Sequence, residues 1–137
     1  MKVPVDECPA GAAMDAAVAR AMGWEWDEYI WWDGEDFVPH FEPSEDIVMA
    51  WSLFLKLPED RVLEVGTGNK DNEGWLSFAC IRFGGESMGT SGYEDGDTGW
   101  AQDEEKNRPC LSALTALAIS RAFLLANGIT EIEVEDA

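Results

Sequence analysis

The chain has 137 residues, one domain's worth with a core of its own, and carries 28 acidic against 9 basic residues for a net charge of −19. That balance excludes basic readout of nucleic acid, repels anionic membrane and favours basic partners. Cys8, Cys80 and Cys110 are an odd set without a Cys-x-x-Cys pair, which argues for reduced, buried thiols rather than a disulfide framework or a zinc knuckle.

The opening MKVPVDECPAG has no apolar signal core, so a cytosolic protein is expected, with residues 1–11 mobile or at most an edge strand. From Ala12 to Met22 the apolar residues Met14, Ala17, Val18, Ala21 and Met22 recur at helical spacing, and Gly23 ends the run. The next stretch, 24–43, is an acidic insertion holding four of the seven Trp, with Tyr29, Phe37 and Phe41 and a carboxylate beside almost every ring. Asp33-Gly34 is a turn signal, so a short hairpin or a flat-packed loop is expected. Aromatic side chains bury well, and the first expectation is that the rings pin this segment to the body. An exposed cluster would instead mark an interface.

Ser44 reads as the cap of a second helix, with Glu45 and Asp46 in its first turn and Ile47, Val48, Trp51, Phe54 and Leu55 as its buried face. Pro58 stops it. Arg61–Val65 and Trp75–Phe83 read as strands joined by a turn over 66–74, paired antiparallel and covered on both faces. Residues 84–107 form a Gly- and Asp-rich loop in which a third strand is placed at Ser87–Tyr93.

Pro109–Asn127 is the helix around which the fold should be organised, because apolar residues leave it almost no polar face. Asn107 or Arg108 can cap it, and Asn127-Gly128 is a left-handed stop. Ser112, Thr115, Ser120 and Arg121 interrupt it before an uncharged run reaches about 18 residues, so a membrane span is not expected. Arg121 needs an acidic partner if buried. Finally Thr130, Ile132 and Val134 alternate with glutamates as a half-buried strand. The expected fold is α+β: a small antiparallel sheet of three to four strands sandwiched with about three helices, in the order α-α-β-β-(β)-α-β, over a single domain 1–137.

Catalytic motifs are missing. His40 is the sole histidine and its neighbours Pro39 and Phe41 favour a surface or packing role, so no enzyme and no cofactor is expected. Asp95-Gly96-Asp97 resembles the start of a calcium loop but lacks the later ligands, and neither glycine cluster is a phosphate loop.

Three segments resemble a known family. Met14-Asp15-Ala16-Ala17-Val18-Ala19 leading to Met22-Gly23-Trp24-Glu25 is similar to the opening helix of the phage alpha-beta-alpha sandwich domains, the NinX-like small bacteriophage proteins. Phe41-Glu42-Pro43-Ser44-Glu45-Asp46-Ile47 with Ala50-Trp51 looks like their second helix. Trp75-Leu76-Ser77-Phe78 followed by Ala118-Ile119-Ser120-Arg121-Ala122 looks like their strand and final helix. The resemblance implies a phage origin and a helix-and-sheet fold, and it implies no catalytic residues. The acidic stretches 27–40 and 84–107 and the terminal strand depart from it.

The leading expectation is a phage-encoded accessory protein that acts in the host cytoplasm and inhibits a host factor, in the manner of an anti-defence protein. Its acidic surface would mimic nucleic acid in a basic groove, through Trp31, Trp32, Asp33, Glu35, Asp36, Asp95, Asp97 and Trp100. A second expectation is a pocket sequestering a nucleotide signal, with Arg82, Lys106 or Arg108 on the phosphate. A third is a structural or replication-accessory phage protein with no ligand.

Overall fold

The computed structural model describes residues 1–57, 61–70, 74–83, 96–103 and 111–134. Its elements run β1 (Lys2–Pro4), a 3-10 turn (Val5–Glu7), α1 (Ala12–Ala21), β2 (Glu25–Asp27), β3 (Ile30–Trp32), β4 (Phe37–Val38), α2 (Ile47–Phe54), β5 (Arg61–Lys70), β6 (Gly74–Phe83), β7 (Asp97–Asp103), α3 (Leu111–Ala126) and β8 (Glu131–Glu133). The fold is α+β, with three helices and small antiparallel sheets of two or three strands. The sheets are β1-β8, β2-β3-β4 and β5-β6-β7. No helix among the described residues is long and apolar enough to cross a membrane.

α3 is the centre of this arrangement. One side lies on β5-β6-β7, and other sides meet α1 and α2. Ala116, Ala118, Ile119, Ala122, Phe123 and Leu124 of α3 are buried, with Met14 and Val18 of α1, Ala50 and Leu53 of α2, and Ala79, Ile81 and Ala101 of the sheet. The small side chains let the sheet approach closely. At Gly99 a Cβ would run into the α3 backbone at Ala118 and Ala122. Ser77 and Thr115 satisfy each other across this contact, with their hydroxyls 3.1 Å apart. The expected stop of α3 is present: Gly128 takes φ +78°, Gly128 N–H donates to the Leu125 carbonyl and Ile129 N–H to that of Leu124. The proposed caps Asn107 and Arg108 lie outside the described residues.

Several expectations need correcting. The cap of α2 is Asp46, whose Oδ1 accepts from the backbone N–H groups of Val48 and Met49 at 2.9 and 3.1 Å. Ser44 is fully buried instead: its Oγ accepts from Gly11 N–H and its own N–H donates to Asp15. The buried face of α2 is Ala50 and Leu53, while Val48, Trp51 and Leu55 face outward. A helix apolar on every side does not reveal which side the core takes.

The turn expected over 66–74 is largely strand. β5 continues to Lys70 and pairs with β6 from Arg61↔Phe83 to Lys70↔Gly74. Gly66 sits under the Phe78 ring, where a Cβ has no room, so this glycine serves packing rather than a bend. The third strand is Asp97–Asp103, whereas Ser87–Tyr93 lies outside the described residues. The terminal alternation holds from Glu131 on: Ile132 is buried, Val134 is half-buried, Glu131 and Glu133 are exposed, and β8 is tied to β1, whereas Thr130, expected on the buried side, is exposed.

Candidate binding surface

The 24–43 segment folds as a three-stranded meander. Cross-strand pairing sets Trp26 opposite Trp31 and Trp32 opposite Phe37, with ring centroids 5.0 and 4.8 Å apart. Alternation then divides the rings between two faces. Trp31 lies within, 8% exposed, beneath the Arg20 guanidinium of α1 at 5.7 Å from the ring centroid, a cation–π distance. Trp24 packs on Phe41 at 4.6 Å and anchors the base. Trp24 and Trp31 therefore pin the segment to the body as expected, and Trp31, expected on the contact surface, is too buried to serve there.

Trp32 is half-buried, and three further rings are presented to solvent. Trp26 and Phe37 are about half exposed and Tyr29 is 87% exposed. Tyr29 stands at the β2-β3 tip next to Glu28, a non-glycine residue at the left-handed φ of 52°. Backbone held in that region is unfavourable and tends to be retained where a tip serves a function. Glu25, Asp27, Glu28, Asp33, Glu35 and Asp36 surround these rings, all exposed, and the chain has no basic residue between Arg20 and Lys56.

The β3-β4 turn is rigid. Asp33 Oδ1 accepts from Asp36 N–H at 2.7 Å and Glu35 N–H at 2.8 Å, and Asp33 N–H donates to the Asp36 carbonyl. These bonds, Asp36 first and then Glu35, hold the Asp33 carboxyl below its ordinary pKa, and Lys56 adds to the effect. The carboxylate thus stays charged and fixed.

Between α1 and the meander runs a groove of about 760 Å³, lined among others by Trp26, Tyr29, Trp31, Phe41, Glu42 and Glu45. His40 opens onto it, with its Nε2 3.4 Å from the Glu42 carboxylate and both side chains exposed. At its base Asp15 accepts the Ser44 N–H at 2.8 Å. Burial, opposed by the Ser44 hydrogen bonds, raises the Asp15 carboxyl above its ordinary 3.8.

The native state therefore holds the Asp15 proton more tightly than the unfolded chain does. The stability this adds is complete below about pH 3.8 and is lost as pH rises through the raised native value. Asp15→Asn keeps an acceptor without the charge. Relative to wild type, its urea-unfolding free energy is expected to gain with rising pH across that window. Asp15→Ala strands the buried Ser44 N–H and should cost about 1–3 kcal/mol at low pH, a cost that shrinks as wild type loses stability with rising pH. Parallel pH profiles for wild type and Asp15→Asn would disprove the assignment.

The remaining residues expected at a site are dispersed. Asp97 and Trp100 are exposed on β7, in a different sheet, and Trp100 packs on Phe78 at 5.4 Å. Asp95, Lys106 and Arg108 lie outside the described residues. Arg82 contacts Glu64 at 3.1 Å, so its charge is already engaged. No phosphate-binding cluster is assembled around it by the described residues. No group of three His, Cys, Asp or Glu side chains suited to a metal ion occurs among them either.

The sequence does not mark Trp26 and Tyr29 as the exposed rings, because the Asp27-Glu28-Tyr29-Ile30 tip has no glycine or asparagine to announce it. Compared with known proteins, the chain matches no family model, no curated protein and no solved structure.

Proposed function

We propose that this chain is a non-enzymatic binding protein whose acidic, aromatic meander docks on a basic groove of another protein. The observation that carries this reading is the exposure of Trp26, Tyr29 and Phe37 among six exposed carboxylates with no base interspersed. Exposed rings supply anchors that lose little entropy on binding, and the surrounding charge selects and steers a positive partner. The resemblance to phage sandwich domains supplies the finer form: a phage-encoded inhibitor, acting in the host cytoplasm, whose carboxylates take the place of nucleic-acid phosphates in a host protein.

The test is a binding panel of purified nucleic-acid-binding proteins with basic grooves, drawn from bacterial defence nucleases, measured at low and high salt with competing nucleic acid. Association should weaken with salt and be displaced by nucleic acid. Asp33→Asn, Glu35→Gln and Asp36→Asn combined should slow association and flatten the salt response. Trp26→Ala with Phe37→Ala should weaken affinity about tenfold or more. If both sets bind as wild type does, with the same salt response, the meander is not the contact surface.

A further inference from the structure

The outward face of α2 supports a second, independent surface. Val48 is 75% exposed, Trp51 46% and Leu55 80%, and they follow one another at i, i+3 and i+7, so they form one stripe. Only Ser52 joins them as an exposed residue within the helix. The opposite side, Ala50 and Leu53, is consumed by the core against α3. Large apolar side chains aligned in this way on a heavily charged protein need a cover.

The ends of the stripe identify the cover. Asp46 stands at the N-terminus of α2 and exposed Lys56 lies just past its C-terminus, with no charged residue between them. A second α2 laid antiparallel about a two-fold axis at Trp51 brings Asp46 of each copy level with Lys56 of the other. It also sets Val48 across from Leu55 and Trp51 against its own copy. A parallel arrangement would oppose like charges at both ends.

We infer that α2 is a homodimer contact, a two-fold antiparallel pairing through Val48, Trp51 and Leu55 with Asp46–Lys56 pairs at each end. Three side chains cover less than the roughly 800 Å² per partner of a standard interface, so the dimer is weak and reversible, with Kd of roughly micromolar to hundreds of micromolar. The end pairs are solvent-exposed and set register more than strength. Two bodies of charge −19 repel each other, and salt screens this repulsion while leaving apolar contact intact. Self-association should therefore tighten with salt, opposite in sign to the docking proposed for the meander.

Sedimentation velocity of the full chain in reductant, over a concentration series at about 0.05 and 0.5 M NaCl, reads this directly. A monomer–dimer equilibrium shifted toward dimer by salt is expected. Leu55→Glu and Val48→Glu, at side chains mostly in solvent, should keep the wild-type circular dichroism and weaken the dimer about tenfold or more. Lys56→Glu should weaken it at low salt, because it replaces two attractions by two repulsions. A chain monomeric throughout, or a dimer indifferent to Leu55→Glu and Val48→Glu, overturns the inference. Unchanged or tighter association of Lys56→Glu overturns the antiparallel arrangement.

Discussion

Gly99→Ala is expected to lower the unfolding free energy by about 3 kcal/mol or more, a large share of the total for a domain of this size. Gly99 lies in β7 where the strand crosses α3, and an added Cβ would overlap the Ala118 carbonyl and the Ala122 amide nitrogen. Both obstacles are backbone. A flexible side chain could swing aside, but a helix backbone moves only with its whole element, which here carries the core. Overpacking of a yielding site commonly costs about 1–3 kcal/mol, and an unyielding one exceeds that range. Gly68→Ala is the matched control: it is also a strand glycine, on β5, and its Cβ would meet nothing within 4 Å. Urea titration should show a lower midpoint for Gly99→Ala, with Gly68→Ala close to wild type. Equal midpoints for the two variants would mean that α3 can retreat from the sheet.

Signals confined to a few neighbouring residues were legible in the sequence. The Gly23 and Gly128 stops, the β6 run and the Ile132 alternation are local facts of backbone geometry and side-chain period, and each is present in the fold. What misled was competition between adjacent candidates. Ser44 and Asp46 are both good caps, and Ser44 is engaged by Gly11 and Asp15, residues about thirty positions away. Gly66 resembles a turn until the Phe78 ring of the next strand is placed above it. The meander shows the same division. Its charge and its rings were plain, but which ring turns inward depends on the register that pairs Trp26 with Trp31 and on Arg20 reaching across from α1. Long-range pairing decides such matters, and no local pattern encodes it.

Arg121 is the clearest case of long-range pairing, and its replacement is the second large effect. Buried in α3, it is expected to face a carboxylate; among the described residues Asp6 is the acid that acts on it, while Nη1 donates to the Trp100 carbonyl and Nη2 to the Cys8 carbonyl at 2.7 Å. Burial pulls its pKa below the ordinary guanidinium value, with Asp6 and then Cys8 acting in the opposite direction. One guanidinium thereby joins three parts of the chain: the strand carrying Trp100, the helix itself and the segment after the N-terminal 3-10 turn. Arg121→Ala removes a donor from each of two carbonyls and opens a cavity, for an expected loss of about 3 kcal/mol or more. Arg121→Met refills the space and removes the desolvation cost of a buried charge, so it should recover part of that loss. It cannot supply either hydrogen bond. Amide exchange at Val5 and Cys8, whose N–H groups bond to Thr130 and Pro4, should therefore accelerate in Arg121→Met even where global stability is largely kept. Faster exchange confined to this N-terminal segment would show that Arg121 is the tie holding it to the core. Unchanged exchange there, with Arg121→Ala as stable as wild type, would show that packing alone keeps the segment in place.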